Sequence, residues 1–359
     1  MKIRIPKTLI QKQIFSFGLI LFLSFFFSIA LLIFSINKFD ILPSVFFGDH
    51  HQIMNFAQTT TSWSREGYPN TGMLYRILGL ENSINGVVIL SFNICLGVFI
   101  YTLIKAPMLD LTALIILFLF LLFSSVFLQQ YSKDFFVLFI TISMMVFGLK
   151  NKLGLTLFLV IAFIYAIYFR LYWVLIIALF LGFNSLYFLF KVKATTKNLV
   201  FFSIIFILML SIAFELILDL SLSHYRQIIN ISRIGDVNAN SIILPFIPLG
   251  NFFLEWINSI ITLISFGLPL PLLKVGGVQH IASFLALVLI SSSFFKNLKF
   301  ALLDRAGKQA VLFVFSFLII QSIFEPDYSS FLRHLTPIIP LILEIHYIAL
   351  KIKVKDVYN

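Results

Sequence analysis

Residues 14–36 read IFSFGLILFLSFFFSIALLIFSI, 23 residues without a charge, preceded by Lys2, Arg4, Lys7 and Lys12. A bilayer core takes about 20 apolar residues of helix. The run is longer than a signal-peptide core and lacks a small-x-small cleavage site. It predicts a retained first span with its basic N-terminus in the cytoplasm. Working outward, similar apolar runs fall at 86–104, 111–128, 135–149, 154–169, 173–190, 199–220, 279–295, 309–324 and 335–350. The expectation is an all-α polytopic integral membrane protein with about ten transmembrane helices. Both termini are cytoplasmic, and 1–359 forms a single membrane domain. The whole composition agrees: 60% of the 359 residues are hydrophobic and only 11% charged, against about 25% charged in soluble domains. A water-soluble enzyme is excluded.

The stretch 252–273 is also apolar, but it contains Glu255, Asn258, Gly267, Pro269 and Pro271. Counting it as a span would place the basic tail (Lys351, Lys353, Lys355) outside, so it reads as re-entrant or interfacial. With ten spans, 15 of the 18 lysines are cytoplasmic, as positive-inside sorting requires, whereas six of the eight arginines are outside. Ten of the fifteen acids are outside too. Basic residues beside apolar spans also account for the net charge of +11 without any nucleic acid. Guanidinium is the planar, permanent cation suited to phosphate, so the outer face is the chemical face. Two outer loops are long, 37–85 and 221–278, and the others are tight turns. The single cysteine, Cys95, lies in an apolar run, so disulfide, zinc and thiol chemistry have no support. No internal repeat and no nucleotide-binding glycine motif is present, and nothing suggests ATP hydrolysis.

Five clusters carry candidate chemistry. Asp49, in Phe47-Gly48-Asp49-His50-His51-Gln52, is placed to take a proton from a sugar hydroxyl, with the aromatics of Trp63-Ser64-Arg65-Glu66-Gly67-Tyr68-Pro69 to stack on the ring. Its alternatives are a helix cap, a loop ion pair or a metal ligand beside His50 and His51; adjacent side chains cannot readily share one ion, and no metal or other cofactor is indicated. In Gln129-Gln130-Tyr131-Ser132-Lys133-Asp134, either Ser132 or Asp134 caps the next helix or Lys133 and Asp134 face the cavity of Asp49. Arg170, in Tyr168-Phe169-Arg170-Leu171-Tyr172-Trp173, either contacts phosphate or snorkels from an aromatic belt. Arg226 and Arg233 are seven apart, on one side of a helix if the segment is helical, and so able to grip a diphosphate. Finally, the turn 325–334 packs Glu325, Asp327, Tyr328, Arg333 and His334 between apolar runs, where a plain connector would suffice. A substrate-binding turn with Arg333 on phosphate is favoured over a capped interfacial turn, and no nucleophile elbow marks it as a hydrolase.

The layout, the two long outer loops and Glu325-Pro-Asp-Tyr-Ser-Ser-Phe-Leu-Arg-His-Leu-Thr-Pro-Ile-Ile-Pro340 resemble bacterial Wzy-type oligosaccharide repeat-unit polymerases, which build O-antigen or capsule chains. The resemblance implies a glycosyltransferase of the bacterial inner membrane. It would move a growing glycan from undecaprenyl diphosphate onto the next lipid-linked repeat unit at the periplasmic face. The substrate would be an undecaprenyl-diphosphate-linked oligosaccharide, and the partners a chain-length regulator and a flippase, with no nucleic acid. The external arginines would then hold the diphosphate as leaving group. Asp49 is the first choice for the base, with Asp327 and Glu325 next. An acid after the first span also resembles polytopic transferases that use polyprenyl-phosphate sugars, which makes a single-sugar transferase the alternative enzyme. A flippase or transporter of the same lipid-linked saccharide is the alternative of a different class, but only Glu215 and Glu344 are clear acids inside spans and no two-fold repeat is visible.

Overall fold

The computed structural model describes residues 7–106, 110–149, 151–233, 240–248 and 252–358. These are mainly helical, with no strand among them beyond an isolated bridge between Ile242 and Asp327. The helices in chain order are α1 (Lys7–Ile41), α2 (Gly48–Thr59), α3 (Gly67–Ile77), α4 (Ile84–Lys105), α5 (Leu111–Phe127), α6 (Lys133–Ser143), α7 (Lys152–Tyr168) and α8 (Trp173–Asn184). There follow α9 (Thr196–Leu218), α10 (His224–Ser232), α11 (Phe252–Gly267), α12 (Leu270–Val275), α13 (Val278–Ala301), α14 (Arg305–Phe324), α15 (Tyr328–Leu335) and α16 (Ile339–Tyr358). Two of them, α6 and α8, are prolonged by π-helical turns at Met144–Gly148 and Ser185–Leu189.

Among the described residues, six helical segments are long and apolar enough to cross a bilayer: Gly18–Ile41, α4, α9, α13, α14 and Tyr328–Val354. The protein is therefore a polytopic membrane protein. Burial ranks these helices by position: 89% of the apolar window is enclosed in α14 and 83% in Tyr328–Val354, against 22% in α1 and in α9. The first two form the axis of the bundle, while α1 and α9 present Phe22, Phe25, Phe26, Leu216 and Ile217 outward. Hydroxyls within the helices satisfy themselves by donating one turn back, as Ser28, Ser35, Thr102 and Ser203 do, which is how apolar helices tolerate them.

Helix ends are set by side-chain caps. Asp110 accepts the Ala113 N–H at 2.6 Å, Asn151 that of Gly154 at 2.7 Å, and Asp304 those of Ala306 and Gly307. At the other end of α5, fully buried Lys38 donates to the Ser125 and Gln129 carbonyls at 2.7 Å each, cancelling acceptors that the helix leaves unpaired.

Chain reversals sort the charges. Lys105, Lys296, Lys299 and Lys353 gather at one end, where Lys105 pairs with Glu344 at 2.7 Å, and His346 with Asp110 at 2.7 Å and Asn297 at 2.9 Å. Asp49, Lys133, Arg170, Arg233, Glu325 and Arg333 gather at the opposite end. Both flanks of the α11–α12 segment lie at this second end. Glu255 accepts from the Ser223 N–H and hydroxyl, and Phe266 stacks on Phe331 at 3.6 Å between ring centres. From there α13 runs alongside α16 toward the basic end, where Lys353 donates to Asn297 at 2.8 Å.

Candidate active site

The second end opens into a cavity of about 810 Å³. A smaller one of about 250 Å³, between Ile94, Val98, Tyr101 and Met145, is apolar and carries no chemistry. The large cavity is lined by the polar side chains of Asp49, Tyr68, Lys133, Arg170, Arg233, Glu325, Arg333 and His334 together with the apolar Leu171, Leu175, Phe214, Leu218, Ile229 and Phe324.

Local packing explains why distant segments meet. The α2–α3 hairpin closes tightly because Gly72 faces the α2 backbone: a Cβ there would lie 2.6 Å from Ala57 N. Gly67 sits equally close to the turn after α7, a Cβ falling 2.1 Å from the Phe169 carbonyl oxygen, and Asn70 Nδ2 donates to the Tyr168 carbonyl at 2.7 Å. On the other flank His50 Nδ1 accepts the Tyr131 N–H at 3.2 Å, and the Tyr75 hydroxyl lies 3.2 Å from the Ser132 carbonyl. The hairpin thus ties the 129–134 turn to the 168–172 turn, placing Asp49 opposite Lys133 and Arg170.

One network runs through the polar side chains. Arg333 Nη1 lies 2.9 Å from Asp49 Oδ2, and its Nε 3.4 Å from Asp134 Oδ2. Arg170 Nη1 lies 3.0 Å from Asp134 Oδ1 and donates to the Tyr172 hydroxyl at 3.0 Å. The Tyr68 hydroxyl donates to Asp49 Oδ1 at 2.7 Å. His334 shares a 2.7 Å hydrogen bond between Nδ1 and buried Glu325, with Nε2 3.7 Å from Asp134. Burial opposes ionisation of Asp49, yet Arg333, then Lys133, the Tyr68 hydroxyl and Arg170 outweigh it and hold the carboxyl well below the usual carboxylate range. Burial likewise opposes charge on Asp134 and on Arg170, but their mutual attraction wins, lowering the acid and raising the base. Glu325, also buried, is held low by His334. Lys133 goes the other way: burial first, then Arg170, push its ammonium down to about 7 against the pull of Asp49 and Asp134. Its Nζ stands 3.2 Å from the centre of the Tyr68 ring.

Of the residues singled out by sequence, Asp49, Lys133, Arg170, Arg233, Glu325, Arg333 and His334 all line this cavity. Asp134 stands directly behind, 1% exposed, as the shared partner of two arginines, while Ser132 caps α6 by accepting the Asp134 N–H at 3.1 Å. Three others are placed elsewhere. Asp327 caps α15 by accepting the Ser330 N–H at 2.7 Å and is ion-paired to Arg233. The Tyr328 hydroxyl donates to Ser265 at 3.1 Å, inside the protein. Arg226 is buried, giving Nη1 to Thr262 Oγ1 at 3.1 Å and the Ser322 carbonyl at 3.2 Å, and burial lowers it to about 10. The expected joint grip of Arg226 and Arg233 on one ligand is therefore not formed: the seven-residue spacing ends at the α10 C-cap, where Arg233 turns to Asp327. Among the described residues no group of three or more His, Cys, Asp or Glu is arranged to hold a metal ion. Sequence reasoning missed the apolar lining residues from α9 and α10 and the bond from Tyr68 to Asp49; Tyr68 was legible only as an aromatic beside Gly67 and Pro69. No protein-family model, curated protein or solved structure matches this chain.

Proposed function

We propose that the protein is a Wzy-type polysaccharide polymerase. It transfers a growing glycan from undecaprenyl diphosphate to the next lipid-linked repeat unit at the outer face of a bacterial inner membrane. The observation that carries this reading is a cavity whose lining combines the cations Arg170, Arg233, Arg333 and Lys133 with the apolar side chains Leu171, Leu175, Phe214, Leu218 and Ile229. Such a cavity suits an amphiphile whose phosphates lie at headgroup depth and whose tail stays in lipid. In the transfer, the arginines stabilise charge on the departing diphosphate, where partly buried donors act most strongly. The topology in this reading has ten spans. The shorter apolar helices α5, α7 and α8, and α6 with its π-helical extension to Gly148, supplement the six long segments, while the equally short apolar α11 is read as re-entrant, and the lysine-rich end lies in the cytoplasm.

The test is the surface glycan ladder of a deletion strain complemented with wild type, Asp49→Asn or Arg333→Ala, with membrane expression checked. Long chains with wild type and a single repeat unit with either variant are expected. Complete loss of lipid-linked repeat units in the deletion strain would reassign the protein to an earlier transferase or the flippase.

A further inference from the structure

The carboxylates around the cavity are already committed. Asp49 receives Arg333 and Tyr68, Asp134 receives Arg170 and Arg333, Glu325 receives His334, and Asp327 receives Arg233 and the start of α15. A carboxylate clamped by guanidinium is a poor proton acceptor, because protonating it breaks the pair. One basic nitrogen on the wall is differently placed. Lys133 Nζ lines the cavity, and among the described residues it has no carboxylate within ion-pair distance; its neighbour is the face of the Tyr68 ring. From the geometry we infer that Lys133, resting on Tyr68, is the general base that activates the acceptor hydroxyl, and that Asp49 is a positioning residue that aims Arg333.

This rests on the glycosyl-transfer reading and supplies the group which that reading lacks. The proton passes from the acceptor hydroxyl to Lys133 Nζ as the hydroxyl oxygen bonds the anomeric carbon. The bond from that carbon to the diphosphate oxygen breaks, and its electron pair leaves on the diphosphate, met by the arginines. The ammonium then returns its proton to water. An amine is a base only when neutral, and three features favour that form: burial, the nearby Arg170 and Arg333, and a place in the first turn of α6, where the helix dipole disfavours a cation. Asp49 from α2 and Asp134 beside it pull the other way, Tyr68 offers its ring face, and Tyr165 from α7 donates only to the Lys133 carbonyl. The balance leaves the amine titrating near pH 7, where a base works best.

The experiment uses purified full-length protein and the lipid-linked repeat unit extracted from the deletion strain, with joined repeats counted by mass spectrometry. Wild type should show an acid limb in kcat/KM near pH 7, rising with pH. Lys133→Arg and Lys133→Ala should each lose kcat by about 100-fold or more, with KM little changed, since a positioned base contributes 10²–10⁴. In Lys133→Cys, alkylation with 2-bromoethylamine restores an amine one sulfur different and more acidic; activity should return with the limb moved to lower pH. Cys95 is fully buried, and Cys95→Ser serves as the background. Lys133→Arg within about threefold of wild type would overturn the base assignment alone, because a mere phosphate contact survives that exchange. Wild type that joins no repeat units would overturn the transfer reading, and the base assignment with it.

Discussion

Removing the Arg226 side chain leaves the Ser322 carbonyl and Thr262 hydroxyl short of a donor inside the protein. A buried polar group left unpaired costs about 1–3 kcal/mol. Arg226→Ala is thus expected to lower the melting temperature in detergent clearly more than Arg233→Ala, whose side chain is 36% exposed. Equal melting temperatures would show that Arg226 is not structural. Lys133 makes a prediction of opposite sign. Its folded pKa of about 7 lies below the unfolded 10.5, so between those values the unfolded chain holds the extra proton and stability rises with pH. The burden of burying this ammonium is greatest below pH 7 and is relieved above it. Lys133→Met should therefore stabilise the protein more at pH 6 than at pH 9, as read by melting curves; an equal or larger gain at pH 9 would contradict the neutral amine. That Asp49, Arg170 and Arg333 lie at helix ends beside apolar runs was legible in their neighbours along the chain. Which acid faces which arginine was not, because Asp49 meets Arg333 only through the packing of helices far apart in sequence.

The α2–α3 hairpin positions more of the site than it contributes. Its contact with the 168–172 turn passes through Gly67, where no side chain fits, and through Asn70. Gly67→Ala must push Phe169 away and draw Arg170 off Asp134, so the variant is expected in the membrane in normal amount with surface chains shortened. Gly18→Ala, which meets nothing within 4 Å, serves as the control and should polymerise as wild type. A normal ladder for Gly67→Ala would mean that the turn does not set Arg170. At this scale the sequence announced α1 and α4 through length and apolarity alone. It concealed α10 and α15, which are too short for a periodicity to stand out and are held by tertiary hydrogen bonds such as that from Asn230 to the Ile243 carbonyl.

Across the whole molecule, the polar chemistry at one end and the lysines at the other are consequences of one constraint. Backbone and charge unsatisfied in hydrocarbon are costly, so both collect where the helices surface. Composition made that sorting readable before any coordinates, and the same sorting explains why α11 needs its polar residues. Asn258 accepts the Phe246 and Ile247 N–H groups at 2.9 Å each, and Glu255 holds Ser223, so the polar side chains that argue against a plain span are the tethers of the 221–248 loop. A segment tethered in this way at one end, and followed by α13 running away from that end, is expected to re-enter without crossing. Cysteine labelling in intact cells decides it. Cysteines at exposed Leu78 and Val278 should both react with an impermeant maleimide, and cysteines at Lys193 and Lys296 should react only after permeabilisation. Labelling at 78 but not at 278 would make α11–α12 a complete crossing, place the C-terminal tail outside, and move the lysine-rich ends of α13 and α16 away from the anionic face that attracts them.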